Sequence, residues 1–252
     1  MGKSKDLATG ETRFVNTAGD TMTGNLSINN ASGSQVTLHR TDTTIANDDL
    51  YGQIILSGDD ADTNASGTRG YIRGRSQGTG GGLKMEFGTA GGGVAMGSDP
   101  RMTINADGYV TKPDQPSFKA HGTSNQYLDA TPIEFPSTTG RGGHNIGNHY
   151  STSTDRFTAP VSGRYFFYVH VGIIRIQATT AACYPQLRIN QSSIIYSYVK
   201  MTGSMPDYCT AHLSAVVNLN ASDYVDVTFV GGSNSQYYNG PGELSFQGYL
   251  LG

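Results

Sequence analysis

Residues 145–167 read NIGNHYSTSTDRFTAPVSGRYFF, and their last five open a long apolar run, GRYFFYVHVGIIRI, beginning at Gly163. A strand puts successive side chains on opposite faces. Tyr165, Phe167, Val169 and Val171 therefore share one face, and Phe166, Tyr168, His170 and Ile174 the other. A strand in a two-layer sandwich needs to bury only one face. Here both are apolar or aromatic, so the second needs a cover from outside, and a neighbouring subunit is the simplest one. The odd-numbered face is expected to form the core. Phe166, Tyr168, His170 and Ile174 are expected to form a trimer interface. Ahead of the run, FTAPVSG predicts a turn in which Gly163 permits a tight bend.

Further strand signals follow: PQLRIN, SIIYSYV, TAHLSAVVNL, DYVDVTFV and ELSFQGYLL, separated by loops of Gly, Asn and Ser. No stretch has the 3.6-residue period of a helix, so the chain is expected to be all-β. Strands at this spacing predict a β-sandwich or jelly roll over residues 116–252. Upstream the texture differs. Twenty of the 34 glycines precede Thr111, which makes a densely packed core there costly. Short alternating runs still appear: Val36 and Leu38, Ile54 and Leu56, Tyr71 and Arg73, Leu83 to Phe87, Met102 and Ile104. Each buries too little alone, and several copies sharing an axis would remedy that. Residues 31–115 are thus expected to form a glycine-rich β stalk and residues 1–30 an attachment segment. The boundary falls in DGYVTKPDQPS, stiffened by Pro113 and Pro116.

Composition excludes several classes. The 252 residues carry a net charge of −3, whereas a general nucleic-acid binder would be basic. No apolar run spans a bilayer, and the N-terminus lacks the apolar core of a secretory signal. Asp6 stands where a myristoylation motif needs Ser or Thr. Two cysteines, Cys183 and Cys209, are too few for a disulfide scaffold. They are read as free thiols, with pairing left open.

Chemistry-bearing motifs are also wanting. DDADTNASG has a calcium-loop flavour, but Ala65 and Tyr71 occupy the positions that require Gly and Glu. GTGGGL and GRGGHNIG are not followed by the Lys-Ser/Thr and helix of a phosphate loop. His144 and His149 sit in a loop without a third ligand nearby, which favours loop hydrogen bonding over a metal. No nucleophile elbow is present. No enzyme activity, metal or cofactor is therefore expected.

Two resemblances add to this. Asn145, Tyr150, Phe157, Gly163, Tyr165 and Phe167 resemble the signature of the C1q family, within the C1q/TNF-like jelly-roll group. SFQGYLL resembles its last strand, with Phe246, Gly248, Leu250 and Leu251 in place, and DYVDV the strand before it. Two positions depart: Thr139 stands where the signature begins with Phe, and Val169 where an aromatic is usual. The resemblance implies a jelly-roll head and a homotrimer. The second resemblance is to bacteriophage tail-fibre and related virion proteins. It rests on GDTMTGNLSI at residues 19–28, and on GGLKMEFGT followed by RMTINADGYV. It implies a virion fibre protein made in the host cytoplasm. Met22, Leu26 and Ile28 would begin an intertwined trimeric stalk and attach it to other tail or baseplate proteins. The head would bind a bacterial surface glycan or outer-membrane protein. A head or capsid fibre is the alternative mounting, and a surface-polysaccharide depolymerase the alternative of another class.

Strand direction places the receptor contacts. If both chain ends of the head lie next to the stalk, ELSFQGYLL runs toward the base, and every second loop before it lies at the far tip. This selects residues 177–182, 201–208 and 231–242. The candidate contacts are Thr202, Asp207, Tyr208, Asn234, Gln236, Tyr237, Tyr238 and Asn239, because Tyr with Asn and other small polar groups is a good recognition mixture.

Overall fold

The computed structural model describes residues 25–61, 66–91, 97, 99–123, 126–127, 132–175, 182–196, 199–200, 209–230, 236–238 and 243–252. For residues 126–127, 173–175, 182–183, 193–194, 199–200, 209 and 236–238 only the backbone is described. The described residues contain strands, turns and loops, and no helix. The first five strands are β1 (Leu50–Gly58), β2 (Gly67–Gln77), β3 (Gly82–Thr89), β4 (Met102–Ile104) and β5 (Val110–Thr111). They form an antiparallel sheet in chain order. Val36 and Leu38, expected in a strand, lie in extended chain outside any strand.

Thirteen strands follow. The short ones are β6 (Ser117–His121), β7 (Gln126–Tyr127), β8 (His144–Ile146), β9 (Tyr150–Ser151) and β10 (Arg156–Thr158). Then come β11 (Gly163–Arg175), β12 (Ala182–Ile189), β13 (Ser192–Tyr196), β14 (Val199–Lys200), β15 (Cys209–Leu219), β16 (Tyr224–Val230), β17 (Gln236–Tyr238) and β18 (Leu244–Leu250). One sheet runs β8-β6-β18-β11-β15, with β17 beside the end of β11 and β7 beside β17. The other runs β9-β10-β16-β12-β13, with β14 on β12. Non-consecutive strands are neighbours in both, and together the two sheets make a jelly roll.

Period-two alternation builds the core between the sheets. Tyr165, Phe167, Val169 and Val171 of β11 are buried, as the expected odd-numbered face requires, against Val225, Val227 and Phe229 of β16. At the centre Phe118 stacks on Tyr150 at 4.8 Å and on Phe157 at 5.0 Å, and meets Phe246 edge-on at 4.8 Å. Such aromatic pairs add to the gain from burial alone.

The motif at residues 145–167 acquires physical reasons. The Asn145 side chain donates to the Tyr150 carbonyl at 2.8 Å and accepts from the Tyr150 amide at 3.0 Å, which closes the loop between them. Tyr150 then donates its hydroxyl to Asp155, which also accepts from the Phe135 amide at 2.7 Å. Burial pushes the Asp155 carboxyl up and the Tyr150 phenol far up. Gly163 does not adopt the left-handed φ that would demand glycine at the expected bend. Its φ is negative or extended, but a Cβ there would lie 2.9 Å from Leu250 Cδ1. Gly248 likewise leaves room for the Phe167 ring, whose Cδ1 would lie 2.5 Å from an added Cβ.

Truncating the fully packed Phe118 to alanine should destabilise the head by about 3–5 kcal/mol. Denaturant unfolding followed by tyrosine fluorescence would measure this, and a loss below about 1 kcal/mol would mean that the aromatic cluster repacks.

Candidate functional site

The outward face of the β8-β6-β18-β11-β15 sheet is the candidate site. Register places Val216 of β15, Phe166 of β11 and Tyr249 of β18 in one row across it. Phe166 is half-buried, and its ring lies 5.3 Å from that of Tyr249. Val216 and Tyr249 are 58% and 45% exposed, large values for apolar groups in mid-sheet. One step along, Tyr168 lies between Ser214 and Gln247, and its hydroxyl is hydrogen-bonded to His212 Nδ1 at 2.8 Å. The next row holds His170 between His212 and Ser245. The His170 and His212 rings stack at 4.6 Å, and His170 Nε2 is buried without a hydrogen-bond partner. Over β15, β11 and β18 the three rows carry no formal charge; Arg164 lies toward the base, and Lys119 of β6, in register with Gln247, ends the Tyr168 row. An aromatic centre depleted of charge is the composition of a protein–protein interface core.

Phe166, Tyr168 and His170 thus come together on one face, where the sequence put them. The Ile174 side chain lies outside the described ones, as do those of Cys183 and Cys209. His212 and Tyr249 complete the patch and were missed. The alternation in TAHLSAVVNL and SFQGYLL assigns their faces only once the partner strand is known.

At the far end, register gathers Ile173, Cys209, Leu244 and β17 on one sheet, with Ala182 and Val230 ending the facing strands. Gln236, Tyr237 and Tyr238 form β17, beside β11 and β7. Thr202, Asp207, Tyr208, Asn234 and Asn239 lie outside the described residues. The opposite end holds the chain terminus, where the Arg164 amide donates to the Gly252 carbonyl at 3.0 Å. Loops there are tied together: Asn190 donates to Asp223 at 2.8 Å, and the Ala221 amide to Ser162 at 3.0 Å.

Elsewhere, charged groups are paired, though Asp226 Oδ2 and Arg156 Nε meet only as an ion pair without a hydrogen bond. On the outer face of the second sheet Asp226 is fully buried between Arg188 at 2.7 Å and Arg156 at 3.5 Å. His144, expected in a loop, opens β8 instead, and its Nδ1 lies 3.2 Å from the Gly142 carbonyl. Among the described residues no three His, Cys, Asp or Glu side chains converge as a metal site. Leu26 and Ile28 are exposed in extended chain, and Met22 lies outside the described residues.

The histidine pair gives a pH dependence of definite sign. Burial, and then the neighbouring His212, lower the His170 pKa below its usual 6.5. Tyr168, Ser245 and His212 are the described groups that face it. A base with a depressed pKa stabilises the fold while neutral, so its contribution is full above pH 6.5 and is lost as pH falls through the lowered value. The raised Asp155 pKa acts in the opposite sense, at lower pH, in the carboxylate range. Melting temperature should therefore drop between about pH 7.5 and 5.5, and drop less in His170→Gln. Equal drops in both proteins would remove His170 from the effect.

A C1q domain model matches residues 117–251, more than half of the chain. Among solved structures, the globular domain of a zebrafish complement 1qA protein is similar at 18% identity and TM-score 0.42, covering 55% of this chain and 98% of its own. Eiger TNF from S. frugiperda is similar at 12% identity and TM-score 0.42, covering 55% of this chain and 94% of its own. No curated protein matches the chain. C1q/TNF domains commonly form homotrimers.

Proposed function

The chain belongs to the C1q domain family, and on that premise we propose that it is a homotrimeric bacteriophage fibre protein whose head binds the host cell surface. The observation that carries the trimer is the uncharged aromatic row Val216–Phe166–Tyr249, a second apolar face on a strand whose first face already fills the core. The fibre assignment is supported by the resemblance of GDTMTGNLSI and of GGLKMEFGT with RMTINADGYV to virion fibre segments. The base of the head carries the connector from β5, where the Leu250 amide donates to the Pro116 carbonyl at 3.0 Å. The far-end loops are thus the surface left for a glycan or protein on the cell. The work done is adhesion, with residues 1–30 joining the rest of the virion.

The trimer is tested by native mass spectrometry. The wild-type protein should weigh three times the 26.7 kDa chain. Phe166→Asp should break the assembly, since an unpaired charge buried in an interface costs several kcal/mol. A monomeric wild type would overturn the proposal.

Adhesion is tested with labelled protein on susceptible bacteria. Tyr238→Ala combined with Asn239→Ala should weaken binding at unchanged trimer mass and melting temperature. Binding that survives this change, and also Gly-Ser replacement of all three far-end loops, would place recognition elsewhere. Deleting residues 1–30 should leave a folded trimer that no longer joins the particle.

A further inference from the structure

The β1–β5 sheet is built inside out for a lone chain. Its register puts Ile54, Ile72, Phe87 and Met102 in one row across four strands. Met85, Ile104 and Val110 form the next row, and Leu56 and Leu83 extend the same face. No charged side chain interrupts these rows. Yet Leu56 is 61% exposed, Ile54 54% and Ile72 40%. The opposite face is polar apart from Ile55, which is 47% exposed, and its central charges are paired. Glu86 is only 4% exposed beneath Arg73 at 2.6 Å, Lys84 at 3.2 Å and Arg75 at 3.6 Å. Arg73 also covers the ring of Tyr71, at 4.1 Å. The charges of that face are paired, whereas the apolar rows have little cover among the described residues.

What covers it within the chain is slight. Leu38 rests on Gly52 at one edge, beside Val36, leaving an open groove of about 550 Å³ lined by Ile54, Ile72, Leu83 and Met85. Among the described residues of this part, Tyr71 is the sole buried large apolar side chain, and it belongs to the charged face. The head core contains nothing before Phe118. An exposed apolar face of this extent marks an interaction surface.

We infer that the apolar face of β1–β5 packs against the same face of the other copies of this chain, about the axis that relates their heads. Each sheet is then one wall of a three-sided prism, apolar inside and charged outside. Two observations select a second copy as the occupant. The face carries no charge, so like can meet like without repulsion. The connector between β5 and β6 is also short, residues 112–116, and is held to the head by the Leu250 amide donating to the Pro116 carbonyl at 3.0 Å. Whatever gathers the heads therefore gathers the sheets, at high effective concentration. The inference rests on the trimeric reading of the head and adds to it which face of the sheet meets which partner.

Cysteine cross-linking of the full chain tests it, in a Cys183→Ser, Cys209→Ser background. Ile72→Cys and, as a second probe, Leu83→Cys report the apolar face. Thr103→Cys reports the charged one. A short bis-maleimide should join chains at positions 72 and 83, and leave the Thr103→Cys chains single on denaturing gels. A trimeric native mass with no interchain product at 72 or 83, or with equal product at Thr103, overturns the inference and leaves the head trimer standing. A monomeric native mass overturns both.

Discussion

A β-strand has two faces, and a two-layer sandwich offers it one interior. Much of this molecule follows from how β11 meets that limit. Its odd-numbered side chains occupy the interior, packed against β16 and the Phe118 cluster. Its edges are filled by β15 on one side and by β18 and β17 on the other. The even-numbered side chains are left over, and they are as aromatic as the buried ones. Neighbouring strands continue the pattern instead of correcting it, with Val216, His212 and Tyr249 in register with Phe166 and His170. A surface built this way over three strands is a feature of the fold, since scattered apolar residues would not align across a ladder.

The two halves of the chain solve burial differently. In the head, twenty-one of the described residues form one buried apolar cluster. Asp226, fully enclosed, has two arginines, and losing it would leave both without their carboxylate, a change that typically costs about 3–5 kcal/mol. The β1–β5 sheet has a comparable ionic knot around Glu86 but no apolar interior of its own. Ion pairs of that kind fix register well and stabilise little. Among the described residues the buried apolar cluster thus lies wholly in the head.

Legibility in the sequence follows the same division. The long head strands were readable, because alternation persists for many residues: GRYFFYVHVGIIRI, TAHLSAVVNL and DYVDVTFV lie close to β11, β15 and β16. The short strands β6 to β10 were not, since two to five residues carry too little period to register. This hid Phe118, the centre of the aromatic core. Gly163 was identified but its reason was not, because a close approach by Leu250 is invisible until the last strand is placed. In the early sheet Tyr71 and Arg73 do share a face, as alternation suggested. Only the register with Lys84 and Glu86 shows that face to be the charged one, with Ile72 on the other. The patch on the head was half legible: one strand gave Phe166, Tyr168 and His170, while His212 and Tyr249 required knowing its neighbours.

The pairing of β6 with β18 has a mechanical consequence. The first enters from the connector at the base, with Ser117 opposite Tyr249, and the second enters from the far end, with Ser245 opposite His121. Tension between the connector and the far-end loops thus draws these antiparallel neighbours along each other's length. Their ladder bonds, lying across the strands, are loaded together in shear instead of parting one at a time from an end. A head pulled between its first strand and its opposite pole would therefore resist as a sheared ladder and not as one unzipped from an end.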